Sequence, residues 1–570
     1  MTPPAIVILG SGALATARRL QACYPDARVH GLQGRVEADV GYAELGAHLR
    51  DLYAGGTPII ALCAAGIVIR CVAPLLANKG AEPPVLAVAE DGSAVVPLLG
   101  GLAGVNVMAR EMAAALAVPP AITTSGELRF GTCVLNPPEG YALASLSQGK
   151  RFVSDLLSGE STRIEGDAPW LDAAQLPRSA SARRAIRITP HAWSGSDDDL
   201  VIHPRSVVAA LVDGSGEAGE ATAARIRDAL ATQGLAPLAL AALVAPAARI
   251  GDAALEQAAT ALGVPLRFVE ARAGTTPAPR ALLTDAFRLP FKLLETGTGI
   301  AFAVADAPVD PDTVGRARGR LSVIGLGPGS EDLMVPAARA ALTRATDILG
   351  YETYVKMAGP FRADQHVHGT DNREEMQRAR HAFELASEGR RVVMVSSGDP
   401  GVFAMAAAVL EALDTSDDPR WTDVELDIVP GVSAAMATAA QAGAPLGHDF
   451  CMLSLSDNLK PWTIIETRLR HAAEADLVMA FYNPISRARP WQLDKALDIV
   501  RAYRTPATKV VLGRDIGRPG ATLVTTTLGE LKSADVDMRT MVIVGSTTTR
   551  AFACGEQQWV YTPRWYEGRE

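Results

Sequence analysis

The chain has 570 residues, of which 48% are hydrophobic and 21% are charged. This balance excludes a mainly disordered protein, and the length exceeds what one hydrophobic core supports, so we expect several α/β domains. The formal net charge of −9 at pH 7 argues against nucleic acid as the main partner, because phosphate binding needs a broad basic field.

The cysteines and the first residues predict a cytosolic protein without a membrane span. The six cysteines form no C-x-x-C pair and are expected to be reduced thiols. The first stretch, MTPPAIVILG, lacks the basic region of a signal peptide and predicts a β-strand. No window reaches the roughly 18 uninterrupted apolar residues of a transmembrane helix.

Residues 4–20 read as a strand, a glycine turn and a helix. Gly10, Gly12 and Ala15 satisfy the dinucleotide fingerprint G-x-G-x-x-A. The next strand, however, ends at His30 and Gly31 with no acidic residue to hold a ribose. A simple turn between strand and helix is therefore favoured over an NAD or FAD site.

The rest of residues 1–145 predicts an N-terminal α/β domain. Residues 57–80 predict a strand, a turn and a helix closed by Lys79 and Gly80. Residues 85–101 predict a pair of strands that bends at Asp91 and Gly92, and another helix follows.

Two polar segments separate the predicted domains of the first half from each other and from the second half. Residues 146–196 are rich in Ser, Arg, Asp and Pro and predict a poorly packed connector. Residues 197–302 alternate apolar strands and helices and predict a second α/β domain. Residues 303–319 predict a linker.

From Leu321 onward, apolar runs of five to seven residues alternate with helical periods. This pattern predicts mainly parallel sheets covered by helices on both faces. A break near residues 443–450 predicts two lobes, 320–445 and 446–570, with a cleft between them. Ligands of such sheets bind beyond the carboxyl ends of the strands.

The stretch LSVIGLGPGSEDL at 321–333 is typical of a ligand-binding turn but not of a phosphate loop. Ser330 stands where the third glycine of a dinucleotide loop belongs, and Pro328 lacks an amide hydrogen. Six strands of the second half end in glycine, proline or small polar residues and are expected to converge on one crevice. These ends begin at Gly325, Ser396, Pro430, Tyr482, Gly513 and Gly545.

These motifs resemble the tetrapyrrole methylase family, whose members use S-adenosylmethionine. Over residues 320–565, GLGPGSEDLM, ILGYETYV, SSGDPGVFAMA, PGVSAAMA, FYNP and IVGS are similar to its precorrin-3B C(17)-methyltransferase branch. The resemblance implies methylation of precorrin-3B at ring carbon 17, with ring contraction to precorrin-4, in a homodimer of cobalamin biosynthesis. A cobalt-containing substrate is the alternative, and methylation of RNA or protein is another that the acidic charge disfavours.

The resemblance also implies the residues that hold S-adenosylmethionine. Methyl transfer is an in-line displacement, so the protein chiefly orients the reactants. For Asp399, capping of the following helix is the alternative to cofactor contact. The implied cofactor-binding residues are Pro328, Ser397, Gly398, Asp399, Val402, Ser433, Ala434, Asn483, Gly513 and Ser546.

Tetrapyrroles of this pathway carry many carboxylates, so an acidic enzyme needs local cations. Arginine suits bidentate capture of a carboxylate. The ring contraction should also need a proton donor or acceptor, which the sequence does not identify. His366 and His368 have no neighbouring Cys or carboxylate pattern, so no metal site is predicted. The candidate cations are Arg373, Lys460, Arg487 and Arg514, with Arg378, Arg380, Arg489 and Arg518 beside the same loops.

The first half resembles the cobalt-precorrin-5A hydrolase family through residues 60–118 and the ITT stretch at 122–124. It departs where that family has a Ser-Gly-His-like segment, because this chain has Gly100, Gly101 and Leu102 there. A leucine cannot perform acid–base chemistry. VDGSGEAGE at 212–220 also replaces an expected glycine-cysteine turn. The alternatives are a hydrolase and a noncatalytic module that binds a tetrapyrrole.

Overall fold

The computed structural model describes residues 3–24, 26–76, 82–213, 216–270, 278–296, 299–371, 374–486 and 489–565. The chain divides into two compact units, unit 1 (Met1–Ala317) and unit 2 (Arg318–Glu570). In the described ranges, no helix combines the length and the apolar character needed to cross a membrane.

The first sheet of unit 1 carries apolar side chains on both faces. Its strands are β1 (Ala5–Ile8), β2 (Arg28–Leu32), β3 (Val40–Tyr42), β4 (Ile59–Leu62), β5 (Val85–Val88) and β6 (Val95–Leu99), with helices α1 (Leu14–Gln21), α2 (Leu45–Ala54), α3 (Ala65–Val72) and α4 (Val105–Leu116). The strand order is β3-β2-β1-β4-β5-β6, parallel except for β6. The antiparallel pair of β5 and β6 confirms the predicted bend at Asp91 and Gly92. Lys79 and Gly80 lie outside the described residues.

The segment predicted as a loose connector is instead packed, so that prediction is wrong. It contributes to a four-stranded sheet of order β7-β10-β9-β8. Apolar residues spaced among the polar ones, such as Phe152 and Ile186, are buried together, while Arg187 pairs with Asp199 over 2.7 Å. The elements are α5 (Ser125–Phe130), β7 (Tyr141–Leu143), α6 (Leu146–Leu157), β8 (Thr162–Glu165), β9 (Arg184–Ile188) and β10 (Leu200–Pro204).

A third sheet completes unit 1 and confirms the predicted strands and helices between residues 206 and 270. Its elements are β11 (Val207–Leu211), α7 (Gly219–Thr232), β12 (Leu240–Pro246), α8 (Ala253–Leu262), β13 (Leu266–Val269), α9 (Pro279–Ala286), β14 (Phe291–Glu295) and β15 (Ile300–Ala305). The order is β13-β12-β11-β15-β14. Two predicted boundaries differ, because β10 belongs to the preceding sheet and β15 extends into the predicted linker.

The first sheet of unit 2 is fully parallel, as predicted. Its elements are β16 (Arg320–Gly325), α10 (Pro336–Arg344), β17 (Asp347–Tyr351), α11 (Glu352–Ala358), β18 (His366–Thr370), α12 (Glu375–Ser387), β19 (Arg391–Ser396), α13 (Met405–Asp414), α14 (Pro419–Thr422), β20 (Glu425–Val429) and α15 (Ala434–Ala442). The order is β18-β17-β19-β16-β20. We call it the parallel sheet.

The second sheet of unit 2 corrects the expectation of mainly parallel strands. The elements are β21 (Gly443–Ala444), β22 (Phe450–Ser454), α16 (Trp462–Glu474), β23 (Val478–Tyr482), α17 (Gln492–Arg501), β24 (Lys509–Arg514), β25 (Thr522–Thr527), β26 (Thr540–Val544), β27 (Arg550–Cys554) and β28 (Gln557–Tyr561). In the order β22-β23-β26-β24-β25, only β22 and β23 are parallel neighbours. We call it the mixed sheet. The remaining strands form a small sheet, β21-β28-β27.

Candidate functional site

Three glycine-rich loops lie at the ends of neighbouring strands in the parallel sheet. Loop 1 (residues 325–329) follows β16, loop 2 (residues 396–401) follows β19 and loop 3 (residues 430–433) follows β20. The strands are adjacent and parallel, so the loops leave the same edge. A Cβ atom at Gly325 would lie 2.3 Å from the carbonyl oxygen of Gly398. Only a glycine at 325 therefore allows the two backbones to approach this closely.

Loops 1 and 2 are paired through their backbones. The amide of Gly398 donates to the carbonyl of Gly327 over 2.8 Å, and the amide of Leu326 donates to that of Ser396 over 2.8 Å. Gly327 and Gly398 have φ angles of +72° and +69°, which favour glycine at both positions. The pairing presents a fixed row of backbone groups at the sheet edge.

Asp399 ties loop 2 to loop 3. Its carboxylate accepts the amide of Gly431 over 2.9 Å and the amide of Gly401 over 2.8 Å. The alternative prediction, that Asp399 caps the following helix, is wrong. Helix α13 begins at Met405, and its N-cap residue is Ala404. The carboxylate holds two loops in register.

Loop 4 (residues 515–518) follows β24 of the mixed sheet and brings Arg518 onto loop 1. Nε of Arg518 donates to the carbonyl oxygen of Pro328 over 2.9 Å, and Nη2 lies 3.4 Å from Oγ of Ser397. A Cβ at Gly517 would lie 2.8 Å from Cγ of Pro328. Burial raises the pKa of Tyr354, and the positive charge of Arg518 opposes that shift. Arg518, one of the candidate substrate cations, thus holds loops 1 and 2.

Three predicted cofactor residues lie along α15: Ser433 and Ala434 at its start and Gly513 against its middle. Oγ of Ser433 accepts the amide of Met436 over 3.3 Å and caps the helix, whose first residue is Ala434. A Cβ at Gly513 would lie 2.4 Å from Cγ2 of Thr438. Oγ1 of Thr438 is buried and has no hydrogen-bond partner within the described part of the chain. A buried polar atom beside Gly513 thus lacks a partner within the described ranges, which is uncommon for a buried hydroxyl.

The end of β23 joins this group through Tyr482. Its hydroxyl oxygen accepts the amide of Ala435 over 3.2 Å. Asn483 follows with φ +50°, and its Nδ2 donates to Oγ of Ser454 over 3.1 Å. Val402 is half-buried in the turn after loop 2, where its amide lies 3.2 Å from the carbonyl oxygen of Asp399. Tyr482 was missed as a site residue, although it is the second residue of the FYNP stretch.

The structure places Ser546 apart from the other predicted cofactor residues, so its assignment to this site loses support. Strand β26 runs antiparallel to β23 and β24, so its carboxyl end lies at the opposite edge of the mixed sheet. The amide of Thr547 donates to Asp476, which precedes β23, over 3.0 Å. The hydroxyl of Ser546 contacts Thr548 and Thr549 instead. Of the six predicted strand ends, the one at residues 545–546 does not converge with the rest.

Comparisons with known proteins identify a family for the part of the chain that carries these loops. A family model described as Tetrapyrrole (Corrin/Porphyrin) Methylases matches residues 320–532. A precorrin-3B C(17)-methyltransferase of Sinorhizobium sp is 50% identical over 251 residues, which cover 98% of that protein and 44% of this chain. The chain belongs to the tetrapyrrole methylase family. The predicted family is therefore confirmed, and we call unit 2 the methylase unit.

Further comparisons concern the fused arrangement. A model described as Cobalamin synthesis G N-terminal matches residues 47–127 of unit 1, which confirms the predicted fusion. The cobalamin biosynthesis protein CobIJ of Mycobacterium tuberculosis is 45% identical over 252 residues, and the chain spans about half of its length, 48%. A crystal structure of the methyltransferase CobJ matches with 51% identity and a TM-score of 0.41, covering 43% of this chain and all of that one.

The predicted substrate-binding cations of the methylase unit differ in whether a carboxylate of the protein already pairs with them. Arg373 and Arg487 lie outside the described residues. Nε of Arg514 donates to Asp537 over 2.9 Å, and Nη1 lies 3.0 Å from Asp515. These carboxylates occupy the guanidinium of Arg514, so the expectation that it binds substrate loses support.

The other predicted cations also differ in their burial and in their partners within the protein. Arg378 is 2% exposed and donates to Oγ1 of Thr370 over 2.6 Å, which makes it part of the core. Arg489 lies 3.3 Å from Asp457. Lys460 is half-buried, and burial together with a neighbouring arginine lowers its pKa. Among the predicted substrate-binding cations that lie in the described ranges, Lys460 is the one near the surface without a carboxylate partner shown.

His368 is paired with a buried carboxylate of the parallel sheet. Nε2 of His368 lies 3.0 Å from the fully buried carboxylate of Asp347, which also accepts from Thr346 over 2.8 Å. Burial raises the pKa of Asp347, but these hydrogen bonds and Arg390 outweigh it and lower the pKa below its ordinary value. The described residues contain no group of three or more possible metal ligands.

In unit 1 the structure reveals a buried carboxylate that the sequence did not single out. Glu127 is 4% exposed, and it accepts from Nδ2 of Asn106 over 2.7 Å and from Arg110 over 2.6 Å. Leu102 lies well before Glu127 in the chain, on a turn at residues 101–103, and is 40% exposed. Residues 100–102 contain no acidic side chain that could replace the missing histidine. Both carboxylate oxygens of Glu127 already accept hydrogen bonds, from Asn106 and Arg110.

Proposed function

We propose that the methylase unit transfers the methyl group of S-adenosylmethionine to ring carbon 17 of precorrin-3B, with ring contraction to precorrin-4, in cobalamin biosynthesis. The observation that carries the proposal is the relative from Sinorhizobium sp, which is 50% identical over 98% of its length and is named for this reaction. The convergence of loops 1 to 4 supports it.

The loops fit the cofactor, which supplies an activated methyl group. The close backbone contact at Gly325 leaves no room for a side chain between loops 1 and 2. Oγ1 of Thr438, which has no hydrogen-bond partner among the described residues, lies beside Gly513. We assign to cofactor binding the predicted residues that converge: Pro328, Ser397, Gly398, Asp399, Val402, Ser433, Ala434, Asn483 and Gly513. Most of these residues act by fixing the backbone of the loops. Asp399, for example, accepts one hydrogen bond from loop 2 and one from loop 3.

The proposed tetrapyrrole site is a cleft between the lobes that carry the parallel sheet and the mixed sheet. Lys460 follows β22, whose carboxyl end lies at the same edge as that of its parallel neighbour β23. An ammonium group there suits the rim carboxylates of a tetrapyrrole. Its position after β22 makes it the first cation to test for substrate capture. The methylase is proposed to act as a homodimer.

For unit 1, two functions stay open, each tied to an observation. The match of residues 47–127 favours a cobalt-precorrin-5A hydrolase-like domain. Leu102 and the fully paired Glu127 favour the second candidate, a noncatalytic module that binds a tetrapyrrole. Because residues 146–196 are packed into a sheet, unit 1 is proposed to contain three α/β domains that precede the methylase lobes in the chain.

The full chain tests both proposals. Incubation with S-adenosylmethionine and precorrin-3B should give a product heavier by one methyl group, with a changed absorption spectrum; no methylated product refutes the methylase assignment. The same experiment with cobalt-factor III tests the cobalt-containing alternative. For unit 1, acetaldehyde release from cobalt-precorrin-5A without S-adenosylmethionine supports a hydrolase, and tight binding without release supports the binding module.

A further inference from the structure

Phe403 is an exposed aromatic residue held in an unfavourable backbone conformation. It follows loop 2, is 52% exposed and has φ +53°. Bulky side chains avoid this left-handed region, and such strain persists where the surrounding structure enforces it, often at functional sites. The fold therefore holds a large apolar ring in solvent against both hydrophobic and conformational preference.

The ring of Phe403 has a fixed position beside the cofactor loops. Its centroid lies 5.2 Å from that of Tyr482, with the ring planes at 58°. The Tyr482 hydroxyl is in turn bonded to the amide of Ala435 in α15. On the other side, Asp399 anchors the turn that leads to Phe403 through the amide of Gly401. The exposed ring is thus attached to loop 2, α15 and β23 together.

Other exposed apolar groups lie on segments attached to the same tyrosine. Met436, next to Ala435, is 43% exposed. Leu459 is 91% exposed on the segment after β22, whose Leu455 amide donates to the carbonyl of Tyr482 over 2.9 Å. Lys460 follows Leu459 directly. Apolar surface with an adjacent cation matches a flat macrocycle that carries carboxylates on its rim.

We propose that Phe403 is a stacking platform for the macrocycle face of the tetrapyrrole, and that it sets the affinity for this substrate rather than for the cofactor. The inference rests on the proposed function, because it names the part of that site that meets the ring system. Aromatic rings stack or tilt against one another with favourable geometry beyond simple burial. A ring that packs against Tyr482 is already partly ordered, so less side-chain ordering is needed when the substrate binds.

The test uses the full chain with Phe403→Ala, Phe403→Gly and Phe403→Trp. The matched control is Phe552→Ala, because Phe552 is 51% exposed on β27 of the small sheet. Uroporphyrin III, a stable tetrapyrrole with eight carboxylates, serves as the macrocycle probe in absorption titrations, and S-adenosylhomocysteine is titrated by calorimetry. We expect Phe403→Ala and Phe403→Gly to weaken uroporphyrin binding about tenfold. Phe403→Trp and Phe552→Ala should retain it, and S-adenosylhomocysteine affinity should stay within about twofold in all four.

A second measurement separates the ring from the backbone. Alanine keeps the left-handed strain and glycine relieves it, so Phe403→Gly should melt about 2 to 4 °C above Phe403→Ala although both lose the same ring. Unchanged uroporphyrin affinity in both variants overturns the platform. A parallel loss of S-adenosylhomocysteine affinity also overturns it, since the ring would then serve the cofactor.

The failure of this inference is distinguishable from the failure of the proposed function. If the wild-type chain binds both probes but does not methylate precorrin-3B, and the Phe403 variants lose uroporphyrin, the platform stands and the reaction assignment falls. If the wild type methylates precorrin-3B and Phe403→Ala does so with an unchanged KM, the platform falls and the reaction assignment stands.

Discussion

The parallel and mixed sheets of the methylase unit differ in strand direction, and this difference decides which predicted loops meet. In the parallel sheet, β16, β19 and β20 all end at one edge, so loops 1 to 3 contact each other through their backbones. In the mixed sheet, β26 runs against its neighbours and carries Ser546 to the far edge. The parallel sheet supplies the backbone contacts among loops 1 to 3, which we call the cradle. The mixed sheet supplies side chains such as Arg518 that reach the cradle.

The largest expected effect comes from adding one methyl group at the centre of the cradle. Gly325→Ala places a Cβ 2.3 Å from a carbonyl oxygen, and the backbone of loop 2 must shift. We expect S-adenosylhomocysteine affinity to fall by about 100-fold or more, because a contact with rigid backbone places this change at the upper end of overpacking costs, about 3 kcal/mol or more. Calorimetric titration of the full chain measures this change.

A matched control for Gly325→Ala lies on the same sheet. Gly369→Ala on β18 makes only ordinary contact, since its Cβ would lie 3.5 Å from the Glu352 side chain. It should retain the affinity within about twofold. Equal affinities for the two variants would contradict the close contact between loops 1 and 2 as the basis of the site.

A smaller effect is expected from Asp399, which joins two loops of the parallel sheet. Asp399→Ala leaves the amides of Gly401 and Gly431 without their acceptor, so S-adenosylhomocysteine affinity should fall by about 1 to 3 kcal/mol, or about 5- to 150-fold. Asp399→Asn keeps one acceptor oxygen and should lose less. Asp449→Ala, at a side chain that is 84% exposed beside the mixed sheet, is the control and should change nothing. Wild-type affinity in Asp399→Ala would refute its role.

The sequence predicted the parallel sheet well because its signals are local. Buried parallel strands read as continuous apolar runs, and the turns after them need glycine or proline. Strand direction in the mixed sheet depends on pairing between distant segments, which no local pattern contains, and so Ser546 was misplaced. The packed segment at 146–196 was missed for a related reason. Its apolar residues, such as Phe152 and Ile186, are sparse along the chain and meet only in the folded sheet.

The next effect tests whether the mixed sheet acts on the cradle through Arg518. Arg518→Met keeps the apolar stem but removes the hydrogen bonds to Pro328 and Ser397, so S-adenosylhomocysteine should bind about 3- to 10-fold more weakly. Arg514→Met, which loses ion pairs within the mixed sheet, should keep the affinity within about twofold. A loss of affinity in Arg514→Met alone would reverse the assignment of the two arginines.

The smallest effects separate two serines that look equivalent in the sequence, since each follows a strand and a glycine or valine. Ser433 caps α15 at the cradle, and removing an N-cap hydroxyl costs about 0.5 to 2 kcal/mol, so Ser433→Ala should weaken S-adenosylhomocysteine binding by about fivefold. Ser546 contacts Thr548 and Thr549 at the far edge of the mixed sheet. Ser546→Ala should therefore lower the melting temperature slightly while the affinity stays within about twofold. If Ser546→Ala weakened binding as much as Ser433→Ala, S-adenosylhomocysteine would have to contact both edges of the mixed sheet. Because β26 runs antiparallel to its neighbours, the two ends cannot meet, and the comparison of these serines tests the strand direction itself.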